Sequence, residues 1–263
     1  MVKMDHYELL TSRQNPKIRE ACALLTAAAR RQTGLFLLEG ARLCADAAQN
    51  GVQITDCFFT DAAFNKYGKE IASAAENAGR VYRITDAVAE KLSDTRTPQG
   101  VFCVCLQRPT EPEIRSDGFY LMTDNIQNPD NLGAIARTAE AFGAAGMIVS
   151  GGCDVFAPKA LRASMGALLR FPVLRADDAV LTAAQLKKQG LRVYAAALHR
   201  ASADVTAVPK TGGSVMIVGN EGSGVSEALL EICDQTVYIP MRGRAESLNA
   251  AVAAAILIWE FTK

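Results

Sequence analysis

Three stretches of this 263-residue chain carry side chains able to do chemistry. The densest is 219–226, Gly-Asn-Glu-Gly-Ser-Gly-Val-Ser. Its glycines let the backbone come close to a bound group, and Asn220 and Glu221 add an amide and a carboxylate. No Gly-Lys-[Ser/Thr] closes it, so it is not a Walker loop, and its spacing is not that of the dinucleotide fingerprint. Taken alone it also reads as a polar strand-to-helix connection. The second stretch runs from Asp124 to Thr138 and contains Asn131 and Arg137 among many Asn and Asp residues. A solvated arginine on a helix surface is the plain alternative for Arg137. The third, 241–249, ends in Ser247-Leu248-Asn249, where Ser247 and Asn249 also suit helix caps.

Other chemistries are poorly provided for. There are two histidines, His6 and His199, and seven cysteines, none in a Cys-x-x-Cys pair. The reading is buried free thiols in a reducing compartment, with no metal centre.

The elements around these stretches decide where they sit. Residues 214–218, Ser-Val-Met-Ile-Val, read as a buried strand, and 227–232 can open a helix. The glycine turn then lies at the carboxyl end of a central strand, where open α/β sheets bind ligands. A strand at 119–123 feeds a helix with an apolar stripe at Leu132, Ile135, Ala136, Ala139 and Phe142. Further strands are expected at 147–150, 191–198 and 237–240, with a helix over 159–169. This alternation implies a parallel sheet with helices on both faces. The Ala-rich helix at 250–261 is so apolar that it must be buried or lie at a subunit interface.

The N-terminal part alternates too. Strands at 35–40, 57–60, 81–84 and 100–106 are separated by helices at 41–50, 62–78 and 86–92, after an opening helix over 18–29. This is a small α/β sandwich of about 100 residues. Residues 108–117, with Pro109 and Pro112 among charges, read as a linker. The expected division is therefore 1–107, a linker at 108–117, and 118–263.

Net charge is zero, and residues 1–110 carry 14 basic against 12 acidic groups, so any nucleic-acid surface must be local. Arg13, Lys17, Arg19 and Arg30 are candidates for phosphate contact. Arg30 and Arg31 are also explained as cations at a helix C-terminus before Gly34. The polar loop at 93–100 offers Arg96 and Gln99 to an RNA, or is simply a connection. Composition is ordinary for a soluble globular protein, with 49% hydrophobic residues. No apolar run reaches membrane-spanning length, and the charged first 11 residues are no signal peptide, so a cytoplasmic protein without a membrane partner is expected.

Three patterns, in order, resemble the motifs of the SpoU (TrmH-type) RNA ribose methyltransferases of the SPOUT class. They are Asn131-x-Gly133-x-x-x-Arg137-Thr138; Gly219-Asn220-Glu221-Gly222-x-Gly224-x-Ser226 with Ile239-Pro240-Met241; and Ser247-Leu248-Asn249. The N-terminal part is similar to that family's L30e-like substrate-binding domain at 12–19, at 36–40 and at 97–100. One departure is Ala251, where many relatives carry Ser.

The resemblance implies an L30e-like α/β sandwich followed by a SPOUT α/β domain with a trefoil-knotted chain, acting as a homodimer. It implies S-adenosylmethionine bound by the loops at Leu198, Gly219, Ile239, Met241, Leu248 and Asn249. The reaction it implies is methylation of an RNA ribose 2′-oxygen, with Arg137 activating or stabilising the oxygen. Asn131, Glu221, Ser247 and Asn249 would orient the reactants. Arg13, Lys17, Arg19, Arg30, Arg96 and Gln99 would meet RNA, ribosomal RNA before transfer RNA. The competing readings are a transfer-RNA ribose methyltransferase, a non-catalytic RNA-binding module on this fold, a nucleotide-binding enzyme using 219–226, and a base methyltransferase.

Overall fold

Local sequence sets the opening turns. The Asn15 side chain accepts from the backbone of Lys17, and Pro16 stands at the first helical position, where its missing N–H costs nothing. This starts α1 (Pro16–Ala23), which follows a short strand, β1 (Glu8–Leu10). The single helix expected over 18–29 is two. The Thr26 side chain caps a second helix by accepting from Ala29, giving α2 (Ala27–Thr33), which Gly34 stops at φ 67°. The computed structural model describes residues 6–108, 111–198, 201–210 and 212–263; Pro109 and His199 lie outside them.

The first compact unit comprises Met1–Arg108 with Phe156–Leu169. After α2 come β2 (Leu35–Glu39), α3 (Ala41–Gln49), β3 (Ile54–Phe59), α4 (Asp61–Glu76), β4 (Ala78–Ile84), α5 (Asp86–Leu92) and β5 (Val101–Leu106). The five strands form one sheet in the order β1-β4-β3-β5-β2. The β1–β4 and β3–β4 pairs are parallel, and β5 runs antiparallel to β3 and β2. Ile18, Leu37, Phe58, Leu92 and Phe102 fill the core on one face. Cys44, Cys57, Cys103 and Cys105 are fully buried free thiols. Burial pushes the Cys105 thiol far up, so it stays protonated and inert.

The second unit comprises Pro109–Val155 and Arg170–Lys263. It begins with β6 (Phe119–Asp124), α6 (Pro129–Ala141) and β7 (Gly146–Ser150). The chain then passes through the stretch to Leu169 that belongs to the first unit, where the expected helix over 159–169 is again two, α7 (Pro158–Ala163) and α8 (Ala167–Arg170), because Met165 and Gly166 take φ 49° and 87° between them. Then follow β8 (Val173–Ala176), α9 (Ala179–Lys188), β9 (Arg192–Ala196), β10 (Ala203–Asp204), β11 (Ser214–Val218), α10 (Glu227–Ile232), β12 (Gln235–Tyr238) and α11 (Ala250–Thr262). The seven strands order as β10-β12-β9-β11-β6-β7-β8, and every pairing is parallel. β7 and β11 are buried along their whole length, as strands covered on both faces must be. The segment before β6 is fastened to it: the Tyr120 hydroxyl donates to the Glu113 carbonyl and accepts from Arg115 N–H, each at 2.8 Å.

A parallel sheet brings all its strand ends to one edge. The chain runs from β6 outward to β7 and β8, then returns to β9 on the other side of β11. That reversal leaves a crevice beyond the carboxyl ends, the usual ligand position in such sheets.

Candidate active site

Asp124 ends β6 and Val218 ends β11, side by side in the sheet. The glycine turn leaves from Val218. Asn220 and Gly224 bond each other's backbones in both directions at 2.9 Å, which pinches the turn shut. Gly219 makes the closure possible: a Cβ there would fall 2.1 Å from the Gly224 carbonyl carbon. Inside the turn the Asn220 side-chain oxygen accepts from Gly222 and Ser223, and its amide donates to the Asn125 carbonyl. At the far end, Asp124 accepts from the Ser226 backbone at 2.8 Å.

The turn thereby aims Glu221 at the start of α6. Its carboxylate accepts from the Gln127 and Asn128 backbones at 3.1 and 3.0 Å, and from the Asn131 amide at 2.8 Å. Partial desolvation pushes the Glu221 carboxyl up. The donors from Asn131, Gln127, its own backbone and Asn128 outweigh that and hold it below the ordinary carboxylate range. Asn131 is buried, and its oxygen in turn accepts from the Asn249 amide at 3.0 Å. The Asn249 oxygen caps α11 by accepting from Ala251 and Val252. One chain of hydrogen bonds, Glu221–Asn131–Asn249, therefore ties the glycine turn, α6 and α11 together.

Beside this chain lies a cavity of about 330 Å³, lined by Leu198, Gly219, Ile239, Met241 and Leu248, with Glu221 and Ser247 at its polar side. Its volume falls in the range of small-molecule and cofactor sites, roughly 300–1,000 Å³. Leu198 is 76% exposed, an apolar side chain standing free at a cavity wall. Ala250, Ala253 and Leu257 put one stripe of α11 against the cavity.

Arg137 stands apart. It lies six residues beyond Asn131 on α6, about 9 Å along the helix axis. It is exposed and makes no hydrogen bond or ion pair among the described residues. Asn131 and Arg137 thus share a helix, with no hydrogen bond between them among the described residues.

The N-terminal candidates divide. Arg30 is corrected: only 3% exposed, it donates to the carbonyls of Leu24 and Leu25 and joins α1 to α2. Arg13 is held by the Ala87 carbonyl and Glu90, and Lys17 pairs with Glu20. The Gln99 side-chain oxygen accepts from Ala41 N–H at the start of α3, which leaves its amide group as the free end. Arg19 and Arg96 are exposed and unpaired among the described residues. The sequence reading missed the backbone donors of Gln127 and Asn128, the Asp124 anchor, and the small residues Ala196, Ala250 and Ala253 at the cavity. An acidic residue closing a strand ahead of an Asn-rich turn was the available signal for Asp124.

The SpoU rRNA Methylase family matches residues 118–259, which hold the sheet, the glycine turn and the cavity. The chain belongs to the SpoU methylase family. Residues 15–103 match the MRM3-like substrate binding domain. Among SpoU relatives, the chain is 34% identical over 251 residues to the 23S rRNA (guanosine(2553)-2′-O)-methyltransferase RlmP of Bacillus subtilis, covering 95% of this chain and 97% of that protein. It is 29% identical to the 23S rRNA (uridine(2479)-2′-O)-methyltransferase of Streptomyces viridochromogenes, covering 95% and 90%. The AdoMet-bound rRNA methyltransferase of Sinorhizobium meliloti superposes with a TM-score of 0.86 at 28% identity, covering 97% of each chain. The SpoU fold, α/β with a parallel sheet, is therefore the fold of this chain. Among the described residues no group of three or more His, Cys, Asp and Glu is placed to hold a metal, and no helix is long and apolar enough to cross a membrane.

Proposed function

We propose that this protein methylates a ribose 2′-hydroxyl of ribosomal RNA, using S-adenosylmethionine. The observation that carries the reading is the Glu221–Asn131–Asn249 chain beside an apolar cavity at the sheet's carboxyl edge, within residues matched by the SpoU family. The names of the relatives favour ribosomal over transfer RNA.

The cavity fits the cofactor. Leu198, Ile239, Met241 and Leu248 offer apolar walls to a nucleoside, and the turn at Gly219 offers backbone polar groups. Bound there, S-adenosylmethionine supplies a methyl group already activated by its sulfonium. What remains for the protein is to orient the acceptor and manage one proton. Arg137 is the residue proposed for the acceptor. A guanidinium offers donors and no acceptor, so its role is to bind phosphate and stabilise the 2′-oxygen as the hydroxyl proton leaves to phosphate or solvent. Glu221, locked as a carboxylate, fixes Asn131 and so the entry to α6; Asn249 and Ser247 border the acceptor side.

A homodimer is part of the proposal. Trp259 is 51% exposed on α11 and meets Phe142, 41% exposed, edge to face at 5.3 Å. With Val252 at 49% exposure they form an apolar face suited to a second copy. Trp259→Glu is expected to shift the mass in solution toward a monomer in light scattering. The knotted threading typical of SPOUT chains and a cytoplasmic setting belong to the same reading; the seven free cysteines fit a reducing compartment.

The test is transfer of labelled methyl from S-adenosylmethionine to unmodified 23S and 16S ribosomal RNA and to transfer RNA. Label should enter ribosomal RNA at a position that becomes resistant to alkaline cleavage. Arg137→Ala should lower transfer by about 10²–10³-fold while cofactor binding persists. Labelled transfer RNA alone would favour the alternative substrate. Cofactor binding without transfer to any RNA would point to another acceptor or an assembly intermediate as substrate, and no cofactor binding at all would leave an RNA-binding module.

A further inference from the structure

The first unit holds a second cavity, larger than the one at the glycine turn, at about 770 Å³. Arg42 and Gln49 reach it from α3, seven residues apart and so on one helix face. Tyr67 and Glu70 reach it from α4, and Gln99 from the loop before β5. None of the side chains of Arg42, Gln49, Tyr67 and Glu70 makes a hydrogen bond or ion pair among the described residues. The Gln99 oxygen is used on Ala41, so its amide donors are what it has to offer. Arg162, which also borders the cavity, is instead consumed by Asp94 and Glu39.

The backbone is unusual at the same place. α4 is interrupted at Tyr67, whose φ −125° and ψ 33° are not helical. Two non-glycine residues have positive φ among the described residues: Asn125, beside the glycine turn, and Met165, which lines this cavity. Departures of this kind gather at ligand sites because surrounding structure must hold them in place.

We propose that this cavity receives an unstacked guanine of the RNA, as a recognition nucleotide separate from the one methylated. The inference rests on the proposed RNA substrate and on the match of residues 15–103 to a substrate binding domain. The free groups select the base. A carboxylate with both oxygens unused meets two donors side by side, and guanine presents them at N1 and N2. A guanidinium meets two neighbouring acceptors, and guanine presents them at O6 and N7. Adenine lacks the paired donors, and the pyrimidines lack the paired acceptors. Tyr67 supplies a ring for stacking, as RNA-reading proteins do for bases splayed from loops and bulges. Its ring is steadied by Lys66, whose ammonium lies 5.1 Å from the centroid.

The experiment is calorimetric titration of the full chain with guanosine, adenosine and inosine 5′-monophosphates, with methyl transfer to ribosomal RNA measured on the same preparation. Guanosine monophosphate should bind about tenfold more tightly than adenosine monophosphate. Inosine monophosphate, lacking the N2 amine, should lose most of that margin. Glu70→Gln should weaken guanosine monophosphate about tenfold and leave S-adenosylmethionine affinity unchanged. Tyr67→Phe should retain binding and Tyr67→Ala lose it, with thermal melts confirming that both fold. No preference for guanine, or a preference indifferent to Glu70→Gln, overturns the proposal even if methyl transfer proceeds. Guanine binding that depends on Glu70 without methyl transfer to RNA upholds the cavity and sinks the functional reading instead.

Discussion

The two sheets treat the residues that sequence nominated in opposite ways. In the second unit, Glu221, Asn131 and Asn249 come from stretches about 90 and 118 positions apart, yet they join in one hydrogen-bonded chain. Every strand there runs the same way, so every functional loop leaves from the same edge. In the first unit the sheet is mixed, and strand ends point to both edges. Its nominated cations do not converge: Arg30 is buried against two carbonyls, Arg13 is bound to Ala87 and Glu90, and only Arg19 and Arg96 stand unpaired among the described residues. Topology, more than residue type, decides which of the nominated residues meet.

Four sets of substitutions would break or sharpen that contrast. Glu221→Gln keeps the shape but removes the charge that three donors address, and methyl transfer should fall roughly 100-fold through misplaced reactants. Because the folded-state value of Glu221 is lowered, its stabilising contribution is complete above the ordinary 4.5 and disappears as pH falls through the lowered value. The gap in melting temperature between wild type and Glu221→Gln should accordingly close in strong acid and not in alkali. Arg30→Ala should cost about 2 kcal/mol of stability by denaturant titration, from the loss of charged hydrogen bonds, while RNA affinity of the folded protein stays near wild type. A large drop in RNA affinity with no loss of stability would restore Arg30 to the RNA surface. Gln99→Ala exposes the start of α3, and a loss of about 1 kcal/mol is expected in the same titration. Arg19→Ala and Arg96→Ala should leave stability alone. Each should weaken RNA binding a few-fold. Its salt dependence should flatten by about 0.7–0.9 in log–log slope for each phosphate no longer neutralised.

Much of the fold was legible because period and punctuation agreed. The strand at 214–218 and the helix at 227–232 fall where apolar runs and the glycine turn put them. The helices at 18–29 and 159–169 were not legible as pairs. Their interruptions come from a Thr26 side chain turning back to cap and from Met165 adopting a left-handed backbone, neither of which alters composition or period. β8 and α9 escaped notice because Val173–Ala176 is only four residues long and alternates weakly. Of the site, the motif residues were legible through resemblance. The use of Gln127 and Asn128 backbones was not, since a backbone N–H carries no sequence signature. Arg30 misled for a related reason: an arginine at a helix end looks the same whether its guanidinium faces water or two buried carbonyls.

Phe156–Leu169 belongs to the first unit although 47 residues of the second precede it in the chain, Pro109 to Val155. Phe156 packs on Phe36 at 4.8 Å between ring centroids, and Arg162 bridges Asp94 and Glu39. A gene fragment ending at residue 108 would therefore release an unfinished product, with the β2 face uncovered and Glu39 missing a counter-charge. On the ribosome the same geometry imposes a wait. At roughly 5–20 residues per second, the nascent N-terminal unit stands incomplete for about 3–12 s before its last piece is synthesised. The unit that holds the match to a substrate-binding domain is thus completed only by a piece synthesised after the start of the second unit.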